Sequence, residues 1–206
     1  MKLIGTVINN NQPDGQNIIE TPPHTTLPIG TPIYLAEPYA QLGSPLGGGF
    51  FAGEMTIDGV NYALVAAPKA LGEKLELEYK QKDWRDADGA TSDDDGALNS
   101  ETLADGNHPA TDFCRSLQIG EHNDWYLPSR DELAMMYRNL GPNKKGTPEL
   151  FRAGAAEAFE NRWYWSSTEH ASYSFHAWSV NFSGGYQDGS GKSYGAGVRA
   201  GRRFKI

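Results

Sequence analysis

The chain has a single cysteine, Cys114, in 206 residues. One thiol excludes an internal disulfide and a thiolate metal cage. No stretch approaches the ~18–20 consecutive apolar residues that cross a bilayer, so no membrane insertion is expected. The segment Met1-Lys2-Leu3-Ile4-Gly5-Thr6-Val7-Ile8-Asn9-Asn10 lacks a continuous apolar region and a small-residue cleavage site. No secretory signal peptide is therefore expected, and synthesis in the cytoplasm follows. His24, His108 and His122 are scattered, without metal-ligand spacing. No metal site and no cofactor is expected. Basic residues are the minority, 18 against 26 acids. Five of them fall from Lys192 onward with no acid among them, but in a strand-like pattern and in an acidic protein. That balance argues against nucleic acid as a partner.

What is present is loop chemistry around a core. Apolar residues make up 38% and charged residues 21% of the chain, enough for one core. The 24 glycines and 12 prolines exceed the usual share of roughly 12%. Short strands and long ordered loops follow. Residues 1–48 hold seven of the prolines and end in Gly47-Gly48, which excludes helix there. They read as an extended N-terminal arm for attachment or oligomerisation, with short extended pieces at Leu3–Ile8 and Ile33–Ala36. Residues 49–206 read as the binding domain.

Met55 and Ile57, then Asp58-Gly59, then Val60, Tyr62 and Leu64 predict a β-hairpin, because Asp-Gly accepts positive φ at both turn positions. Leu75, Leu77 and Tyr79 alternate with Glu76, Glu78 and Lys80, the period of a half-buried strand. Residues 83–105 carry eight acids against one base, Arg85. Asp86-Ala87-Asp88-Gly89 and Asp93-Asp94-Asp95-Gly96 lack the register of a calcium loop and read as a solvated loop.

Ala110, Phe113, Cys114 and Leu117 form one helical face, between Asn107 as cap and Gly120 as stop. Cys114 then belongs to the core. Ser129 and Glu132 have the spacing of a capping box ahead of the stripe Leu133, Met136, Tyr137 and Leu140, with Gly141-Pro142 as the stop. A weaker helix is expected from Pro148 to about Phe159. Trp178, Val180 and Phe182 alternate as a strand, and Val198–Phe204 reads as a final strand. The stretch from Gly184 to Gly197 reads as loop. Trp165 and Trp178 are expected in the core. Ser166 and Ser167 lack a partnered base and are expected to satisfy backbone groups.

Four segments in one order carry a family resemblance. Asp124-Trp125-Tyr126-Leu127-Pro128-Ser129-Arg130-Asp131-Glu132-Leu133 resembles a W-x-L-P-(S/T)-x-x-E-L signature. Tyr164-Trp165-Ser166-Ser167-Thr168-Glu169 resembles a YWSSTE segment. Ala177-Trp178-Ser179-Val180-Asn181-Phe182 and Gly197-Val198-Arg199 resemble later A-W-x-V-x-F and V-R elements. Together they resemble the Lcl C-terminal (collagen-like adhesin C-terminal) domain family of phage tail and bacterial surface proteins. The pattern is also similar to the variable proteins of diversity-generating retroelements. The resemblance spans about residues 50–206. It implies an α+β, C-type-lectin-like domain with two main helices on a small antiparallel sheet and long C-terminal loops that present a ligand surface. Calcium motifs of sugar-binding lectins are missing from those loops; Gln12-Pro13-Asp14 lies in the arm.

His170-Ala171-Ser172-Tyr173-Ser174-Phe175-His176 and the loop from Tyr186 to Tyr194 are rich in Tyr, Ser, Gly and His. Such loops give large contact area at low entropy cost. His170, Tyr173, Phe175, His176, Tyr186, Asp188, Lys192 and Tyr194 are the candidate ligand-binding residues. The aromatic ones, from Tyr173 to Tyr194, are expected to gather on one exposed face. The function expected is that of a phage tail receptor-binding protein, located in the virion at a tail tip or fibre. It would recognise a host cell-surface glycan or protein, contact other tail proteins through the arm, and form a homo-oligomer, a trimer by analogy. A bacterial surface adhesin or lectin-like binding protein is the alternative. An enzyme on the formylglycine-generating type of fold ranks third, since that chemistry needs a cysteine pair. No catalytic residue is assigned.

Overall fold

A computed structural model describes residues 41–206. The expected extended pieces at Leu3–Ile8 and Ile33–Ala36, Gln12-Pro13-Asp14 and His24 lie outside the described residues. Residues 41–48 belong to the same compact unit as the rest of the described residues. The Gly43 N–H donates to the Phe51 carbonyl at 2.8 Å, and β1 (Pro45–Leu46) pairs with β2 (Gly49–Ile57). The composition boundary at residue 48 therefore falls inside a hairpin.

The fold is α+β, with two sheets where one was expected. The hairpin at Asp58-Gly59 joins β2 to β3 (Val60–Ala66), and both turn residues have positive φ, 49° and 75°. That is the primed turn that matches strand twist. A single helical turn, α1 (Lys69–Gly72), leads to β4 (Glu73–Glu78). Three helices follow: α2 (Gly96–Thr102), α3 (Pro109–Arg115) and α4 (Arg130–Leu140). The last strands are β5 (Trp163–Glu169), β6 (His176–Asn181), β7 (Gln187–Gly191), β8 (Gly195–Arg199) and β9 (Gly201–Lys205). One sheet has the order β1-β2-β3-β9 and the other β4-β8-β5-β6-β7. The second is mixed, because β5 and β8 run parallel at Tyr164 and Gly197.

Several elements differ from expectation for identifiable reasons. The final strand is two strands, broken at Ala200, whose N–H turns to the Gly72 carbonyl and whose carbonyl accepts from Ala67 N–H. The chain thereby crosses from one sheet to the other. In β4 the register shifts between Lys74 and Leu77, so strict alternation fails. Tyr79 is buried, Leu77 is partly buried, and Leu75 faces solvent. The helix expected from Pro148 shrinks to one 3-10 turn, Glu149–Phe151, which buries Phe151. Helix α3 ends at Arg115, with Ser116 as its C-cap, short of Gly120. Its cap position is His108, because the Asn107 side chain is committed to the backbone of Lys82. The acidic stretch contains α2, capped by the Asp95 carboxylate on Leu98 N–H at 2.8 Å.

Helix α4 forms as its sequence dictates. The Ser129 hydroxyl accepts from Glu132 N–H at 3.3 Å, and the Glu132 carboxylate accepts from Ser129 N–H at 2.8 Å. Leu133, Met136 and Leu140 are buried in a core shared with Ala52 and Leu64 of one sheet and Tyr164, Val180 and Phe182 of the β5–β6 region. A second core joins Val65 and Ala67 to Tyr79, Cys114, Trp125, Trp165 and Val198. Cys114 is buried, and burial pushes its thiol well above the usual range. Among the described residues no helix is long and apolar enough to cross a membrane.

Candidate ligand-binding surface

The site begins with the alternation of β6. Trp178 and Val180 lie two residues apart and so share a face of the sheet. Val180 sits beneath α4 and is fully buried. Trp178 lies beyond the N-terminus of that helix. Arg130, the first residue of α4, reaches it, with its guanidinium 5.0 Å from the indole centroid. Trp178 is therefore half-buried and not a core residue, contrary to the expectation. Trp165, by contrast, is fully buried.

The loop between β5 and β6 builds on that indole. The His170 ring stacks on Trp178 at 4.9 Å with an interplanar angle of 20°. Its Nδ1 accepts from the N–H groups of Ser172 and Tyr173, both at 3.2 Å. The loop closes on itself through His170 N–H to the His176 carbonyl at 3.0 Å and His176 N–H to the Tyr173 carbonyl at 2.9 Å. Tyr173, Phe175 and His176 then pack as a cluster, with ring centroids 4.4 to 6.1 Å apart. Tyr173 and Phe175 stay exposed, at 53% and 39%.

The neighbouring strand extends the patch. Gly189 faces Trp178 and Gly191 faces His176 across the β6–β7 ladder. A side chain at Gly189 would meet the His170 ring at 2.9 Å, so glycine is what lets the ring lie flat there. The place of a Gly191 side chain is filled by the Tyr194 ring, which is 69% exposed. His170, Tyr173, Phe175, His176 and Tyr194 are thus brought together on one face.

Three candidates lie elsewhere. Tyr186 is exposed, but its carbonyl accepts from Asn181 N–H at the far end of the β6–β7 hairpin. Five residues of strand, on the order of 16 Å, separate it from His176. Asp188 pairs with Ser179 on the opposite face, and its carboxylate turns to the Gly189 N–H at 2.8 Å on the strand edge. Lys192 corrects the expectation most sharply, because it is fully buried. Its ammonium is ion-paired with Glu169, donates to the Asp86 carbonyl at 2.8 Å and lies 3.4 Å from Asp88.

That buried pair anchors the acidic segment. One Glu169 oxygen accepts from the N–H groups of Asp88, Gly89 and Ala90 at 2.9, 2.7 and 3.2 Å. Asp88 also pairs with Lys80 at 2.5 Å and with His108 at 3.2 Å. Burial pushes its carboxyl upward, but the hydrogen bonds from Lys80 and His108 and the charge of Lys192 hold it below the ordinary value. Asp83, Asp86, Asp93 and Asp94 remain exposed. Ser166 and Ser167 are buried, and the Ser166 hydroxyl donates to the Trp178 carbonyl. The Ser167 hydroxyl receives the Asn99 amide. Among the described residues no group of three or more potential metal ligands gathers.

Sequence reasoning missed Arg130, Trp84 and Arg85 as neighbours of this patch. The Ser174 hydroxyl donates to the Arg85 carbonyl at 2.6 Å, which seats residues 83–86 beside the loop. Only the fold joins positions so far apart. For Arg130 a signal existed, since it directly follows the N-cap of the helix that packs on β6.

Exposed aromatic side chains on loops of a rigid scaffold are a common form of interaction surface. The profile of the Lcl C-terminal domain matches residues 73–202, and the chain belongs to that family. Family membership supports adhesin-like binding as its role. A comparison with curated proteins finds no match.

Proposed function

We propose that this chain is a phage tail receptor-binding protein that recognises a host cell-surface ligand through the patch of Tyr173, Phe175, His176 and Tyr194. The observation that carries the reading is the exposure of those aromatic rings on a loop pinned by its own hydrogen bonds and by the stacked His170 and Trp178. Rings held in this way lose little entropy on binding, and a few aromatic contacts usually carry most of the affinity. The proposal extends to a C-type-lectin-like arrangement, a non-catalytic role, location at a tail tip or fibre, and assembly as a homo-oligomer, with the residues before 41 as the attachment to other tail proteins. A bacterial surface adhesin is the second reading, favoured by the family match itself.

The test is adsorption to host cells beside thermal unfolding. Tyr173→Ala with Phe175→Ala should abolish attachment and leave the melting temperature within a few degrees, since exposed loop side chains contribute little to stability. Tyr186→Ala should leave both unchanged. Full attachment by the double variant would place the receptor site elsewhere. Tail and baseplate genes beside this one would favour the phage reading over the adhesin.

A further inference from the structure

We infer that the aromatic patch takes an extended, lysine- or arginine-bearing polypeptide segment, a conclusion that rests on the binding reading above and names its ligand class. Two features beyond the exposed rings carry it. The first is charge. Asp93 lies beside Arg130 at 2.9 Å on the Trp178 flank, and Asp131 lies 3.6 Å from the same guanidinium. Asp83 and Asp86 flank Trp84 and Arg85 on the Ser174 side. All four are exposed. Arg130 is engaged with two of them, and Arg85 lies over the Trp84 ring at 5.0 Å. Lys192, which would have countered the rim, is buried with Glu169. Aromatic faces ringed by carboxylates attract cations and repel anions.

The second feature is an open strand edge. Among the described residues β7 has a neighbour on one side only, β6. Hydrogen bonds at Asn181–Tyr186 and Phe175–Lys192 fix the phase of this antiparallel ladder. Alternation then turns the backbone groups of Gln187, Gly189 and Gly191 outward. The Gly189 N–H is taken by Asp188 and the Gly191 carbonyl by Tyr194 N–H. Gln187 presents both of its groups in this outward direction at the exposed end of the edge, which closes toward the buried Gly191, and so offers a template for an added strand at the Tyr186 end of β7. A strand added there would reach the patch about four residues along, toward Gly191. Its alternate side chains would reach Tyr173, Phe175 and Tyr194, where a lysine or arginine meets both a ring face and a carboxylate.

The experiment titrates the 206-residue chain with an alternating lysine–threonine decapeptide and its glutamate–threonine counterpart, read by calorimetry and by amide chemical shifts. The lysine peptide should bind saturably with shifts along β7, and the glutamate peptide should not bind. Tyr173→Ala with Phe175→Ala should weaken binding by about tenfold or more. Gln187→Pro, which removes an outward N–H, should also weaken it. Raising salt from about 50 mM to about 300 mM should weaken it further, as screening of an exposed charged rim requires. Absence of binding, equal binding of the glutamate peptide, or unchanged affinity in both variants would overturn the inference. Cell attachment separates the two claims. A failed peptide titration with attachment still lost in the Tyr173/Phe175 variant removes the cationic ligand and keeps the receptor reading. Peptide binding with attachment intact in that variant removes the receptor reading alone.

Discussion

Charged side chains deep in the fold make single residues decisive. Arg199 is fully buried between Glu73 at 3.1 Å and Glu157 at 2.7 Å, and donates to the Ala67 carbonyl at 2.6 Å. Removing one member of a buried pair strands the others, which costs ~3–5 kcal/mol. Arg199→Ala should lower unfolding free energy by about that amount in urea titrations. Burial already pushes the Glu73 carboxyl upward against the pull of Arg199, so Glu73→Gln in the same chain should restore part of the loss. Two acids give opposite pH dependence. Asp88 is held below its ordinary value of 3.8, so its contribution is present above about pH 4 and is lost as pH falls through the lowered value. Glu132 is raised above 4.5, because burial outweighs the hydrogen bonds from Tyr126 and Ser129 and the charge of Arg203. The folded state keeps that proton longer, so its contribution is present at low pH and is lost as pH rises through the raised value. Urea titrations between about pH 3 and pH 8 should show Asp88→Asn without part of the acid-side loss. Glu132→Gln should lose the decline above 4.5 while keeping its capping role, since glutamine serves at that position. Trp178→Ala, at a half-buried position, should cost less than the ~3–5 kcal/mol of a buried large aromatic. A full loss of that size would return Trp178 to the core.

Among the elements, those written in local chemistry were legible in the sequence. The Asp58-Gly59 turn needs only two residues that accept positive φ, and the α4 cap only Ser129 and Glu132 at the right spacing. Ser129→Ala should cost roughly 1 kcal/mol or more, because its hydroxyl satisfies a buried Glu132 N–H. Far-UV circular dichroism against urea measures it, and an unchanged midpoint would show the cap to be idle. Helix α2 was hidden in an acidic run, although Asp95 before Gly96-Ala97-Leu98 is a proper N-cap. Strand β7 was hidden for another reason. Gln187-Asp188-Gly189-Ser190-Gly191 has little strand propensity, and its ladder with β6 supplies the order. The candidate surface was half legible. Composition pointed to the loop at 170–176 and to Tyr194, since tyrosine and glycine there have no core to fill. It could not separate Tyr186, because the hairpin puts residues 186 and 194 at opposite ends of β7. Nor could it foresee Lys192, whose carboxylate partner is 23 positions away.

At the scale of the whole molecule, the two sheets are bound into one folding unit by the way their cores are shared. One core takes Ala52 and Leu64 from the first sheet and Tyr164 and Val180 from the second. The other takes Val65 from the first, with Ala67 just beyond its strand, and Trp165 and Val198 from the second. The chain passes between the sheets at Ala200 without a linker, and Tyr126 bridges to Gly201 just beyond it. Neither sheet can keep its buried face if the other leaves. Residues 41–206 should therefore unfold in one cooperative step. Of the five tryptophans only Trp125 and Trp165 are buried, both in the core around Val198, so the fluorescence shift on unfolding follows that core, whereas far-UV circular dichroism reports on the strands and helices of both cores. The two urea transitions should superimpose, with a single midpoint and slope. A fluorescence transition that precedes the dichroism would show the Trp165 core opening while α4 and its core persist. In that event the aromatic patch, which stands on both β6 and the Glu169-anchored segment, would have a scaffold that yields locally, and the low entropy cost of binding argued from its pinned loop would no longer hold.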